Sequence, residues 1–222
     1  MLNIPCVILA GGKSSRMGED KCFLPFKNTT LIKYQYDKMS KLFDKVYISS
    51  KINKFDFECD IIYDNFTDTS SPMIALESIL SYINSKKVFI ISVDTPLINN
   101  ETIITLIDNS NNHNIIIAKD KKNIHNLCGV FSINLLKEIK NMIKQDIHKI
   151  NYLIKTNTNS TIIEFEDEKQ FLNINTQEQY NIAKRQTKIM INTYEKALEY
   201  YSNQNYRASL TIASELLENI LL

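Results

Sequence analysis

With 222 residues, 44% of them hydrophobic and 23% charged, the chain suits one globular domain, or one domain with a small appendage. Its formal net charge of +1 excludes a protein-wide basic field for nucleic acid, so any anion binding must be local. The cysteines (Cys6, Cys22, Cys59, Cys128) form no C-x-x-C pair and have no histidine cluster beside them, no basic-then-apolar leader opens the chain, and no run approaches the ~20 apolar residues of a membrane span, which together predict a cytoplasmic protein with free thiols.

Ile4 to Leu9 is a nearly continuous apolar run of strand length, as expected for a strand buried on both faces of a parallel sheet. It empties into Leu9-Ala-Gly-Gly-Lys-Ser-Ser-Arg-Met-Gly-Glu-Asp-Lys21. The chain has four glycines, and Gly11, Gly12 and Gly18 fall here, among Lys13, Arg16 and Lys21. Glycine lets backbone N–H groups turn inward and approach a ligand closely, and cations offset its negative charge. A solvated basic loop is the plainer reading, but the clustered glycines favour a phosphate site with Arg16 and Lys21 on a nucleotide's outer phosphates. The spacing is neither a Walker P-loop nor a G-x-G-x-x-G dinucleotide fingerprint.

Cys22 to Phe26 is a short apolar stretch broken by Pro25, and helical spacing follows from Thr30 to Phe43. Val46 to Ser49 and Asp60 to Asp64 read as strands. A helix should start near Ser70, with Ser71 as its cap and Pro72 in its first position. Lys87 to Val93 is the clearest strand and runs into Asp94-Thr-Pro96. A helix is expected over Asn100 to Asp108, then strands over Asn114 to Ala118 and Leu127 to Ser132 around a charged loop, Lys119 to His125. Helical patterns at 133–143 and 146–155 and a strand over Ser160 to Phe165 complete this part. Strands alternating with helices predict an α/β fold on a mostly parallel sheet, with ligands beyond the carboxyl ends of the strands. The expected main domain is 1–185. Residues 186–222 read as a helical hairpin, roughly 187–203 and 206–221, similar to one tetratricopeptide-type unit. A lone unit of that kind must dock on the main domain or on another chain.

Loop 11–21, Asp64 and Asp94 all lie just past strand ends, so three segments project polar groups to one edge. Asp94 follows an apolar strand directly and suits a Mg²⁺ ligand, since magnesium takes one or two carboxylates plus phosphate oxygens and water. A turn cap is the plainer alternative. Asp64 has the same placement and divides between site residue and turn. His125 precedes Asn126-Leu-Cys-Gly-Val130, and a lone histidine is more often structural than catalytic. Asn173 and Asn175 share one side of the extended stretch Phe171 to Thr176 and serve equally well as caps or as site residues.

These motifs, in this order, resemble the molybdenum cofactor guanylyltransferase family. The resemblance rests on Leu9 to Lys21, Ser71-Pro-Met-Ile-Ala75, Asp94-Thr-Pro96, His125-Asn-Leu-Cys-Gly129 and Phe171-Leu-Asn-Ile-Asn-Thr176, and covers about residues 1–185. It implies a three-layer, Rossmann-like nucleotidyltransferase domain that joins the GMP part of GTP to molybdopterin and releases pyrophosphate, with Mg²⁺ as cofactor. Carried over by motif, Leu9, Ala10, Gly11 and Gly12 would meet the nucleotide and Lys21 its phosphates. Ser49 stands where the family often has an asparagine at the guanine. Asp64 matches a nucleotide-binding aspartate, Asp94 matches the magnesium ligand, and His125, Asn173 and Asn175 would face the pterin. Both usual glycines are absent from the Ser71–Ala75 motif, and Asn126 replaces a usual proline. A related nucleotidyltransferase using CTP or another acceptor, or a non-catalytic adaptor working through the hairpin, is the alternative. The hairpin itself is a candidate surface for a molybdoenzyme or a chaperone.

Overall fold

The apolar runs become the inner strands of a central sheet, where both faces are covered by hydrophobic side chains. The computed structural model describes residues 1–11, 20–64, 71–202 and 209–213. Its strands are β1 (Cys6–Leu9), β2 (Pro25–Phe26), β3 (Thr29–Thr30), β4 (Val46–Ser50), β5 (Asp60–Tyr63), β6 (Lys87–Ser92), β7 (Ile115–Lys119), β8 (Ile124–Ser132) and β9 (Ser160–Glu164). Seven of them form one sheet in the order β5-β4-β1-β6-β8-β7-β9, while β2 and β3 make a separate antiparallel ribbon. In the large sheet β8 runs antiparallel to both of its neighbours, and the remaining pairs are parallel.

Alternate side chains of the strands feed two cores. Cys6, Ile8, Phe89, Ile91 and Val130 pack with α1 (Leu31–Ser40), α3 (Asn100–Asp108) and the start of α6 (Gln177–Ser202). Val7, Leu9, Val88, Ile90 and Phe131 pack with α2 (Pro72–Tyr82), α4 (Leu136–Lys144) and α5 (Ile150–Thr156). This is the expected three-layer α/β architecture. Ser71 caps α2, its hydroxyl accepting from Ile74 N at 3.2 Å with Pro72 next in the chain.

Two elements differ from expectation. His125 lies inside β8 and not in a loop: Ala118 pairs with His125 and Lys119 with Ile124. The connection is a tight turn, because the Asp120 carboxylate accepts from the backbone N–H groups of Lys122 and Asn123, both at 2.7 Å. The second difference is that α6 runs unbroken through residue 186. Tyr180, Ala183 and Thr187 bury its first half at helical spacing, and Tyr194, Leu198 and Tyr201 are exposed farther along. Of the second hairpin helix, only 209–213 fall among the described residues, and they are helical. No helix among the described residues is long and apolar enough to cross a membrane.

Topology gathers the strand ends of interest on one edge. Leu9, Ser49 and Ser92 are in register across β1, β4 and β6, and backbone bonds from Val93 N to Leu9 O (3.1 Å) and from Ala10 N to Ser49 O (3.0 Å) carry that register past the strands. Gly129 secures the other half of the sheet. A Cβ there would lie 2.0 Å from the carbonyl oxygen of Ile116, so only glycine allows β8 to approach β7 this closely. Gly129→Ala should therefore cost on the order of 3 kcal/mol of stability, read as a lower urea midpoint, and an unchanged midpoint would contradict the close approach.

Candidate active site

Lys21, Asp94 and Asn175 meet at the carboxyl edge of the sheet. Lys21 follows the basic loop and opens a short 3-10 turn whose cap is Asp20. Its Nζ donates to Asn175 Oδ1 at 2.5 Å and lies 3.8 Å from Asp94 Oδ2. Both charged side chains are about one-fifth exposed, at 17% and 21%. They are thus partly screened from water yet open on one side.

The stretch 173–175 is fastened to the same place by backbone and side chain. Ile174 N donates to Asp94 O at 2.8 Å, and the Thr95 hydroxyl donates to Asn173 Oδ1 at 2.8 Å. Asn173 and Asn175 therefore belong to the wall that holds Asp94 and Lys21. Phe171, just before them, stacks on His125 with centroids 4.2 Å apart and an interplanar angle of 10°. His125 Nε2 lies 2.9 Å from Asp120 Oδ2, so the ring is held by a carboxylate and by an aromatic face. Because β8 is antiparallel to β6, its first residues lie at the edge where β6 ends, which brings His125 beside this wall.

The Asp94 turn is also held from below by α1. Gln35 Nε2 donates to Thr95 O at 3.3 Å, and Lys38 Nζ donates to Pro96 O at 3.2 Å and to Ile98 O. Desolvation of the Lys38 ammonium, reinforced by the charge of Lys27, pushes it down to about 8. None of these contacts has a sequence motif, and Gln35 and Lys38 were invisible in the chain pattern except as polar positions on a buried helix.

A second group sits at the ends of β4 and β5. The Ser49 hydroxyl donates to Asp64 Oδ1 at 3.4 Å. Burial raises the Asp64 carboxyl above the ordinary aspartate range, and the Lys51 charge and the Ser49 hydrogen bond only partly oppose it. Leu9, Ala10 and Gly11 complete this side, and a Cβ on Gly11 would meet nothing within 4 Å among the described residues. Gly12, Arg16, Lys13 and Gly18 lie outside the described residues.

The donor set suits a metal that arrives with a substrate. Among the described residues no three His, Cys, Asp or Glu side chains cluster to form a protein-only cage. A single carboxylate at Asp94 beside a cation fits Mg²⁺ bound mainly by phosphate oxygens and water. Elsewhere, Ser71, His148 and Asp146 line up at 3.3 and 3.0 Å, but Ser71 is occupied as a helix cap and Asp146 is exposed, so this series reads as capping and not as a nucleophile.

Comparison with known proteins adds independent findings. The family described as the MobA-like NTP transferase domain matches residues 6–160. A molybdenum cofactor guanylyltransferase of Campylobacter jejuni (strain RM1221) is 43% identical over 185 residues, covering 82% of this chain and 96% of its own. One from Helicobacter pylori (strain G27) is 34% identical over 187 residues, covering 82% and 92%. The crystal structure of a molybdopterin-guanine dinucleotide biosynthesis protein A from Archaeoglobus fulgidus superposes with a TM-score of 0.71 at 19% identity, covering 82% and 97%, which supports the fold.

The Asp64 shift has a consequence for stability. Its folded pKa is raised, so between the unfolded value of about 3.9 and the folded value the native state holds more protons, and stability falls as pH rises through that window. At neutral pH the ionised carboxylate therefore opposes folding. Asp64→Asn, which keeps an acceptor for Ser49, should melt at a higher temperature than wild type at pH 7, with the gap closing below about pH 4. A lower melting point at pH 7 would contradict the desolvated carboxylate.

Proposed function

We propose that this chain, which belongs to the MobA-like NTP transferase family, transfers the GMP part of GTP to molybdopterin, forming the guanine dinucleotide cofactor and releasing pyrophosphate. The observation that carries this reading is the Lys21 ammonium held between Asp94 and Asn175 at the carboxyl edge of a mostly parallel sheet. A fixed cation beside a fixed carboxylate can face a triphosphate and its metal together. The 43% identity to a relative of that name over most of both chains supports the same reaction.

The chemistry is in-line attack of a pterin phosphate oxygen on the α-phosphorus of GTP. A new P–O bond forms there while the bond to the β-phosphate oxygen breaks, and the electron pair leaves with pyrophosphate. Lys21, with Arg16 of the basic loop, stabilises the leaving charge. Asp94 would hold Mg²⁺, which supplies further charge neutralisation on the phosphates. Asn175 and Thr95 keep Lys21 and Asp94 in position, so catalysis comes from positioning and preorganised charge and needs no covalent enzyme intermediate. Leu9, Ala10, Gly11 and Gly12 supply loop backbone to the nucleotide, and Ser49 and Asp64 face its base side. His125, Asn173 and Asn175 line the acceptor side, with His125 held rigid by Asp120 and Phe171.

We assign the reaction to the cytoplasm, where the unpaired cysteines would remain thiols. The exposed Tyr194, Leu198 and Tyr201 recur along one side of α6, and we assign that stripe to contact with a molybdoenzyme or chaperone partner.

Purified protein should release pyrophosphate from GTP in the presence of molybdopterin and Mg²⁺. Asp94→Ala and Lys21→Met should each lower kcat/KM by about 10²–10³-fold, the scale of losing one preorganised charge at a transition state. Full activity in Asp94→Ala, or a clear preference for CTP, would contradict the proposal. Truncation at residue 186 should abolish partner capture in a pull-down, and identical partners with and without residues 187–222 would remove the recruitment role.

A further inference from the structure

Lys54 lies in the connection between β4 and β5, in a stretch without any motif, and it touches both described flanks of the basic loop. Its Nζ donates to Asp20 Oδ2 at 2.5 Å and to Ala10 O at 3.5 Å. Asp20 Oδ1 accepts from Cys22 N at 3.0 Å, and the Cys22 thiol donates back to Ala10 O at 3.5 Å. Ala10, Lys54, Asp20 and Cys22 thus close a ring of hydrogen bonds. The ring joins the chain where it enters the loop to the chain where it leaves.

An exposed ion pair would be worth little, because two long side chains must be held in one geometry. Here the geometry is already fixed. The Lys54 ammonium lies 5.8 Å from the centres of both the Phe23 and Phe55 rings, and its side chain is 21% exposed. Burial of the Asp20 carboxyl works to raise its pKa but is outweighed by the Lys54 hydrogen bond and charge and by the Cys22 N–H, leaving it below the ordinary range. Asp20 is therefore ionised throughout the neutral range, one residue before Lys21. Left alone, that carboxylate would repel a triphosphate or draw the Lys21 ammonium away from it.

We propose that Lys54 is a positioning residue for the nucleotide: it neutralises Asp20 and ties it to Ala10, so that the Ala10–Gly11 backbone and Lys21 present one preset surface to the GTP phosphates without the opposing charge of Asp20. The inference rests on the guanylyltransferase reading. It gives Lys54 a role different from that of Lys21, which meets the phosphates itself. It also gives Asp20 the character of a controlled liability, a charge tolerable only while paired.

The test is a set of variants in the full chain. Lys54→Met should raise the KM for GTP about tenfold while kcat and the KM for molybdopterin change little, as for loss of a charge partner beside a binding site. Lys54→Arg should retain most of the affinity. Asp20→Asn added to Lys54→Met should recover most of the loss, because the liability goes with the charge. A bystander lysine would give an unchanged KM, and a purely structural one would lose further on the second substitution; either result overturns the proposal. A substrate-free arm measures amide hydrogen exchange, which should quicken in residues 20–24 of Lys54→Met without change in α3 or α5. Unaltered exchange in 20–24 also overturns it. If wild-type protein neither binds nor turns over GTP, the transferase reading fails, and the exchange arm still decides whether Lys54 holds the ring.

Discussion

The Lys21 ammonium, hydrogen-bonded to Asn175 and 3.8 Å from Asp94, is the interaction on which the rest of the site depends. Its hydrogen bond spans 154 residues of sequence, so nothing local can make it. It exists because β1 and β6 are parallel neighbours in register, which delivers the chain after each strand to one edge of the sheet. The stretch 173–175 is then drawn across that edge by backbone and side-chain bonds to Asp94 and Thr95. A cation and a carboxylate held this way, partly shielded from water, attract each other more strongly than on an open surface. They also need little reorganisation to meet phosphate and metal, which is where preorganised charge contributes to rate.

The support around that pair comes from side chains and backbone outside the reacting edge. Gln35 and Lys38 of α1 take the carbonyl groups that the Asp94 turn would otherwise leave without partners. His125 is gripped between Asp120 and Phe171. Gly129 lets β8 lie close against β7, which holds the strand bearing His125 against the sheet. Each device acts on orientation, and each lies on a strand or helix or is tied to one. A reactive edge can therefore be exposed without becoming loose.

Much of this was legible in the chain. Continuous apolar runs marked β1 and β6, since a strand buried on both faces has no polar side to show. Asp94 stood out because a carboxylate directly followed such a run, and Lys21 because glycines clustered ahead of it. The cap at Ser71 was readable from Ser-Pro alone. Contacts that depend on tertiary approach were not. Lys54 sits among Asn53, Phe55 and Asp56 with no periodicity or spacing to single it out. The charged residues 119–122 mask the start of β8 and give His125 the look of a loop residue, and only the Asp120 turn reveals how short that connection is. The continuity of α6 was hidden because its first turns are rich in Gln, Glu, Asn and Lys and bury a single narrow stripe at Tyr180, Ala183 and Thr187. Gly129 falls inside a stretch legible as a strand, but the reason for a glycine there is not, since it is a neighbouring carbonyl, Ile116 O, on another strand.

The most direct test of the central claim is a crystal structure with Mg²⁺ and a GTP analogue whose α,β-bridging oxygen is replaced by methylene. It should show the triphosphate at the carboxyl edge of the sheet, with Lys21 Nζ within hydrogen-bond reach of a phosphate oxygen and the metal coordinated by Asp94. A triphosphate bound elsewhere, with Lys21 still turned only to Asp94 and Asn175, would contradict it.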